Sequence, residues 1–348
     1  MEFTCSTGRW LLDEDKPSSD GSEAPRYPFT VGMFPVASVS ARRSKQIHGK
    51  TCNRLLQQLV VRCEDVGLCA YDFNTHEGFL KQIVLRRGVN GQGRTEIMLG
   101  LVTTSFDGEQ SELLKRIVQD LVREHEKDLL SVSEAAPRLV SIVESLDSEA
   151  QRHRRRNDNE PTEGTNTERV LYGSSHFEDT ILNHRFEISF DSFFQPNSSQ
   201  ASVLYRETQR MMAALPEKPV VWDLFCGVGS IGICMGAHAK KVLVEAPWSS
   251  KGERPPEWLL SRSHQFFCVD LAKSWQEEEF LDKIASTGSS DLPDMVMWIP
   301  LELDSIKSLS RCCVAWHRRH ICYVSCNPHS QVPDLEAFCA KAKLKVVK

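Results

Sequence analysis

The chain has 348 residues, 41% of them apolar and 26% charged, a length that normally forms two domains and a composition that excludes a fibrous or wholly disordered protein. No run approaches the roughly 20 apolar residues of a membrane-spanning helix, and the start Met1-Glu2-Phe3-Thr4 lacks the basic and apolar regions of a secretory signal, so an intracellular protein is expected. The net charge of −5 means that any attraction to nucleic acid is local, drawn from clusters such as Arg42-Arg43-Lys45-His48-Lys50 and Arg152-His153-Arg154-Arg155-Arg156.

Residues 1–147 read as a smaller α/β domain. Leu55 to Val61, Gly67 to Phe73, Phe79 to Leu85 and Glu96 to Val102 are expected as strands, with a turn at Gly88-Val89-Asn90-Gly91. A helix should follow, capped by Ser111 and carrying Leu113, Leu114, Ile117, Val118, Leu121 and Val122 on one side up to about Leu130. Residues 148–168 change character to a basic cluster followed by Asn, Asp, Glu, Pro, Thr and Gly, which predicts a disordered polar linker. From 169 to 348 apolar runs alternate with amphipathic segments. Val220 to Phe225, Lys241 to Glu245, Gln265 to Asp270, Asp294 to Ile299, His320 to Ser325 and Leu344 to Val347 are the predicted strands. Such alternation implies an α/β fold with a doubly wound, mostly parallel sheet.

The chain carries 12 cysteines, scattered and mostly within apolar runs, as Cys63, Cys69, Cys234, Cys268 and Cys339 are; reduced core thiols are expected. Cys312, Cys313, His317, His320 and Cys322 are denser, but their spacing is neither that of a zinc ribbon nor that of a finger, so no metal is expected.

Chemistry concentrates in two strings. The first is Val220-Val221-Trp222-Asp223-Leu224-Phe225-Cys226-Gly227-Val228-Gly229-Ser230, an apolar run ending in an acid and then a glycine turn. Gly227, Gly229 and Gly232 satisfy G-x-G-x-x-G, which by itself also fits a dinucleotide fold. Asp223, however, stands where the dinucleotide fingerprint would put its first glycine. An acid before the turn is the arrangement that receives the amino-acid part of S-adenosylmethionine. Glu245, closing the next predicted strand, is placed to accept hydrogen bonds from ribose hydroxyls, and Asp270, closing the third, to meet the adenine amino group or merely to cap a loop. The second string is Tyr323-Val324-Ser325-Cys326-Asn327-Pro328, which sets a cysteine at the end of another predicted strand.

Together with Ser192-Phe193-Phe194-Gln195-Pro196-Asn197, these strings follow the order of the RNA uracil-5 methyltransferases, and the sequence resembles that family. Ala70-Tyr71-Asp72, Gly78-Phe79-Leu80-Lys81-Gln82-Ile83-Val84-Leu85-Arg86 and Leu171-Tyr172-Gly173 resemble its eukaryotic tRNA branch, so the likeness covers most of the chain. The resemblance implies a Rossmann-like class I methyltransferase domain, S-adenosylmethionine as cofactor and RNA, foremost tRNA, as partner. Cys326 would be the nucleophile that attacks carbon 6 of uracil. Asn327 and Pro328 would stiffen its loop. Gln195, Phe225, Ser230 and Glu245 would contact the cofactor alongside Asp223, Gly227, Gly229 and Asp270. A base inside folded RNA has to be swung out to be reached.

The chain also departs from the family. Where an Asp-Pro-Pro-Arg motif is expected, it has Trp298-Ile299-Pro300-Leu301-Glu302, which loses an acid and replaces a cation by an anion. The family's glutamate base lies farther downstream of the nucleophile than Lys348, and Ala246 to Pro256 is proline-rich where a helix is expected, so a divergent or truncated chain is anticipated. The iron–sulfur cysteine quartet of some members is not expected here. A catalytically impaired RNA-binding homologue and, more remotely, a nicotinamide-dependent oxidoreductase are the alternative readings.

Overall fold

A computed structural model of the chain describes residues 2–6, 30–33, 42–43, 49–73, 75–131, 136–147, 167–224, 226, 228–245, 264–267, 292–298, 320–325, 331–333, 335–336 and 339. They fall into two compact units, Met1–Thr180 with Glu187–Asp191, and Ile181–Phe186 with Ser192–Lys348.

Among the described residues, the first unit comprises a seven-stranded mixed sheet and two helices. In chain order its elements are β1 (Glu2–Ser6), β2 (Thr30–Met33), β3 (Arg42–Arg43), α1 (Lys50–Asp65), β4 (Leu80–Val89), β5 (Thr95–Thr103), α2 (Glu109–Ser131), β6 (Arg138–Leu146) and β7 (Glu168–Gly173). The sheet order is β3-β2-β1-β4-β5-β6-β7, and only β5 and β6 run parallel, joined through α2. Cys52, Leu55, Leu59 and Cys63 of α1 and Leu114, Ile117, Val118 and Leu121 of α2 bury against Ile83, Leu85, Ile97, Leu99, Leu101 and Ile142 of the sheet.

Leu55 to Val61 is therefore helix and not strand. The residues that bury recur at three- and four-residue intervals, whereas Leu56 and Val60 are only partly covered and Val61 is exposed. Gly67 to Phe73 forms isolated bridges at Ala70 and Asp72 rather than a strand. Cys69 is exposed, unlike the buried Cys63. The turn between β4 and β5 starts at Asn90, whose Oδ1 accepts the Gln92 and Arg94 amides at 3.0 and 2.9 Å; Gly88 and Val89 still belong to β4. α2 starts before Ser111, whose hydroxyl donates back to the Phe106 carbonyl at 2.7 Å instead of capping the first turn. Gly100 sits where a Cβ would lie 2.0 Å from Phe190 Cε2, so the missing side chain is what seats that ring.

The sequence reading starts the second domain at residue 169, but β7 pairs antiparallel with β6 and completes the first sheet. Arg169 explains the attachment. Its guanidinium donates to Glu144 Oε2 at 2.6 Å, to the Phe106 carbonyl at 3.0 Å and to Ser111 Oγ at 2.7 Å. Glu144 is fully buried, and burial raises its carboxyl above the ordinary value against the opposing pull of Thr103 and Arg169. The remaining residues of 148–166 lie outside those described. The chain then forms the hairpin β8 (His176–Ile181) and β9 (His184–Ser189), within which it passes from one unit to the other.

The second unit contains α3 (Ser198–Ala213), β10 (Val220–Leu224), α4 (Ser230–Met235), β11 (Lys241–Glu245), β12 (His264–Phe267), β13 (Met295–Trp298) and β14 (His320–Tyr323). Its five strands are all parallel, in the order β12-β11-β10-β13-β14. Every residue of β10 is buried, which is why the strand reads as an unbroken apolar run. The expected strand from Gln265 to Asp270 is described only as far as Phe267, and Leu344 to Val347 lies outside the described residues.

Candidate active site

The chain lays down β10, β11 and β12 in one direction and then returns to the other side of β10 for β13 and β14. The order therefore reverses between β10 and β13, and in open α/β sheets a ligand crevice lies outside the carboxyl ends of the strands at such a point. Leu224 pairs with Trp298 and Trp298 with Tyr323, so β10, β13 and β14 end in one row. Glu245, the last residue of β11, ends beside Phe267 of β12.

The turn from β10 to α4 occupies that edge. Gly229 caps α4 with φ of 72°, a left-handed conformation that glycine adopts without a Cβ penalty. Gly232 donates its amide to Asp223 Oδ2 at 2.8 Å, and a Cβ there would lie 2.7 Å from that same oxygen and 3.2 Å from Val242 Cγ1. The approach of α4 to β10 and β11 is possible only because residue 232 lacks a side chain. Asp223 is fully buried, and at least one carboxylate oxygen holds the first turn of α4. Its described role is to fix the glycine turn.

Ser230 opens α4 and is nearly buried, its Oγ 2.7 Å from the hydroxyl of Tyr205 on α3. Burial raises that phenol well above its ordinary value; the Ser230 hydrogen bond opposes the shift, while Cys234 and Asp223 add to it. Gln209, also on α3, donates to the Cys234 carbonyl at 2.9 Å. Burial pushes the Cys234 thiol up to about 12, with Asp223 adding to the effect. Cys322 on β14 is raised by burial too, against the Thr208 hydroxyl 3.9 Å from its sulfur. Both thiols stay protonated at neutral pH, so neither has the thiolate character of a nucleophile.

Gln195 lies half-buried in the segment leading to α3, two residues before Asn197, whose Oδ1 caps that helix by accepting the Gln200 amide at 3.1 Å. The structure thus brings Asp223, Gly229 and Ser230 together at one turn. It places Glu245 at the end of the neighbouring strand. Phe225, Gly227, Asp270, Cys326, Asn327 and Pro328 lie outside the described residues, as does the departure from Ile299 to Glu302; the described stretch that contains β14 ends at Ser325, immediately before Cys326. Sequence reasoning missed Tyr205 and Gln209. The available signal was the spacing of Ala201, Tyr205, Thr208 and Met212, which marks the buried face of α3 but not the hydrogen bond that Tyr205 makes from it.

No protein-family model matches the chain. Proteins named as uncharacterized RNA methyltransferases do align along it. The one from Porphyromonas gingivalis is 25% identical over 359 aligned residues, covering 100% of this chain and 69% of its own length. That from Chlorobaculum tepidum is 26% identical, covering 98% of this chain and 65% of its own length. The chain is a homologue of RNA methyltransferases. A Caldanaerobacter subterraneus relative of the same description is 30% identical over 78% of this chain, which spans 53% of it. The homologue spans about half to two thirds of these relatives. Among solved structures, the Pyrococcus abyssi tRNA (uracil-54, C5)-methyltransferase in complex with S-adenosyl-L-homocysteine superposes with a TM-score of 0.52 at 19% identity, over 83% of this chain and 61% of that one. The fold is accordingly the Rossmann-like methyltransferase fold.

Proposed function

We propose that this chain, as a member of the eukaryotic tRNA branch of the RNA uracil-5 methyltransferases, transfers a methyl group from S-adenosylmethionine to carbon 5 of a uridine in RNA, foremost tRNA, with Cys326 as nucleophile. The observation that carries the reading is the acid-and-glycine turn at the switch point of the parallel sheet, in a homologue of RNA methyltransferases. The residues present suit the cofactor: Gly229 turns the chain with a left-handed φ, and Gly232, its amide held by Asp223, lets α4 close on β10, so no Cβ crowds the turn at either position.

Gln195, the backbone of Gly227, Gly229 and Ser230, and the carboxylates of Glu245 and Asp270 would hold the cofactor, with Asp223 fixing the turn and Phe225 flanking it. The Ser230 hydroxyl is engaged by Tyr205, so its contribution comes through the main chain. When bound, S-adenosylmethionine supplies an electrophilic methyl group. Cys326 Sγ adds to carbon 6 of the uracil ring and pushes the π pair towards carbon 5 and the adjacent carbonyl, turning a weak nucleophile into an enolate. Once carbon 5 has taken the methyl group, its proton is lost to a base and the bond from Cys326 Sγ to carbon 6 breaks, releasing the thiolate and restoring the ring's double bond. Asn327 and Pro328 would hold the nucleophile's loop.

The replacement of the expected acid by Ile299 and of the cation by Glu302 favours one other reading, an RNA-binding homologue with little turnover. Incubation with 5-fluorouracil-containing tRNA and S-adenosylmethionine separates the two. The methyltransferase forms a covalent protein–RNA complex that Cys326→Ala abolishes; RNA retention without an adduct and without dependence on S-adenosylmethionine refutes the catalytic reading. Calorimetry with S-adenosylhomocysteine and NAD tests the cofactor, and binding of NAD alone refutes it.

A further inference from the structure

Helix α4 is six residues long, far below the roughly 12 residues at which an isolated helix becomes even marginally stable in water. Its position is imposed from outside. One restraint is the Asp223 carboxylate, which takes the Gly232 amide at 2.8 Å. The others come from α3. Tyr205, without solvent exposure, shares a 2.7 Å hydrogen bond with Ser230 Oγ at the start of α4. One turn along α3, Gln209 donates to the carbonyl of Cys234 at 2.9 Å, near the end of α4. Residues four apart share a helix face, so a single stripe of α3 grips the short helix at both ends. The same α3 is capped by Asn197, which closes the segment carrying Gln195.

We infer that Tyr205 and Gln209 are positioning residues for the cofactor: through them α3 sets the Gly229–Ser230 turn in fixed register with the Gln195 segment, so that both are presented before any ligand arrives. Neither side chain is proposed to touch the cofactor; each acts through a backbone or hydroxyl group of α4. The energetic logic is preorganisation. A turn already held needs no ordering when the ligand binds, and loosening it appears as weaker binding rather than slower chemistry.

The inference rests on the S-adenosylmethionine reading above. Tyr205→Phe keeps the buried ring and removes only the hydroxyl, while Gln209→Met keeps the length of a half-buried side chain and removes the donor. Calorimetry with S-adenosylhomocysteine on the full chain, steady-state kinetics on a tRNA transcript and thermal unfolding form the test. Each variant is expected to bind S-adenosylhomocysteine on the order of five-fold more weakly, the loss of one neutral hydrogen bond. The KM for S-adenosylmethionine should rise by a similar factor, with a smaller change in kcat. A lowered unfolding temperature with wild-type affinity in the folded protein marks a merely structural role and overturns the inference, as does wild-type affinity in both variants with no thermal effect. A wild-type chain that does not bind S-adenosylhomocysteine overturns the cofactor reading and this inference together.

Discussion

Replacing Gly232 by alanine probes the seat of α4 directly. The new Cβ would stand 2.7 Å from Asp223 Oδ2, 3.1 Å from Asp223 Cβ and 3.2 Å from Val242 Cγ1, all on strands locked between parallel neighbours. None of these atoms is the end of a long flexible side chain, so α4 has to move. Overpacking of this kind costs about 1–3 kcal/mol. The shift also stretches the amide-to-carboxylate hydrogen bond, worth about 1.5–3 kcal/mol when the acceptor is charged. Alanine's better helix propensity offsets roughly 1 kcal/mol. The balance is a destabilisation of about 3 kcal/mol, which at about 2–4 °C per kcal/mol for a unit of this size lowers the unfolding midpoint by roughly 10 °C. Circular dichroism during thermal and urea unfolding measures it. Stability equal to or above that of the unsubstituted chain would show that the close approach of α4 to β10 is not real, and the argument for the glycine turn would go with it.

Three further outcomes follow from the first unit. Gly100→Ala, with its Cβ 2.0 Å from Phe190 Cε2, should cost about 1–3 kcal/mol, and Phe190→Ala in the same chain should recover part of that loss, measurable as non-additive urea midpoints. Arg169→Ala leaves the buried Glu144 carboxylate without its guanidinium and should cost roughly 3 kcal/mol or more, with Glu144→Gln in the same chain restoring stability in chemical denaturation. His125 is buried and accepts the Leu139 amide on Nε2 at 3.0 Å; burial chiefly lowers its pKa from the usual 6.5. The unfolded chain then takes up the proton first, so stability is full above about pH 6.5 and falls as the pH drops below it. His125→Gln should remove that component of the slope, and an unchanged pH dependence would refute the assignment.

What was legible in the sequence is what burial makes unambiguous. Strands β10, β11 and β13 lie between parallel neighbours, so Val220–Leu224 and the apolar centres of the other two read as short runs of the right length, and the half-buried edge strand β14 follows the same pattern. Asp223, Gly229 and Gly232 were legible because each meets a local demand that fixes its spacing: a left-handed φ at Gly229, and room at Gly232 for α4 to close on the Asp223 carboxylate. Leu55 to Val61 misled because Leu56, Val60 and Val61 extend the apolar pattern beyond the face that packs, hiding the helical period of Cys52, Leu55, Leu59 and Cys63. Tyr205 and Gln209 were invisible for another reason. A tyrosine and a glutamine on an amphipathic helix carry no mark of which backbone they hold, and that information exists only once α3 and α4 are side by side. The attachment of Arg169 to the first sheet is equally hidden, since a cation's buried partner on a distant strand has no local signature.

The pairing of β7 with β6 has a consequence for how the protein is made. The first sheet recruits its outermost strand from beyond the polar stretch, and Glu187–Asp191 returns to the same unit still later. While synthesis has not passed residue 147, β6 has no β7 to cover it, and its free amides and carbonyls are open to another nascent chain. Proteolysis within the polar stretch would not yield two self-sufficient halves, because the downstream piece would carry away the strand that closes the upstream one.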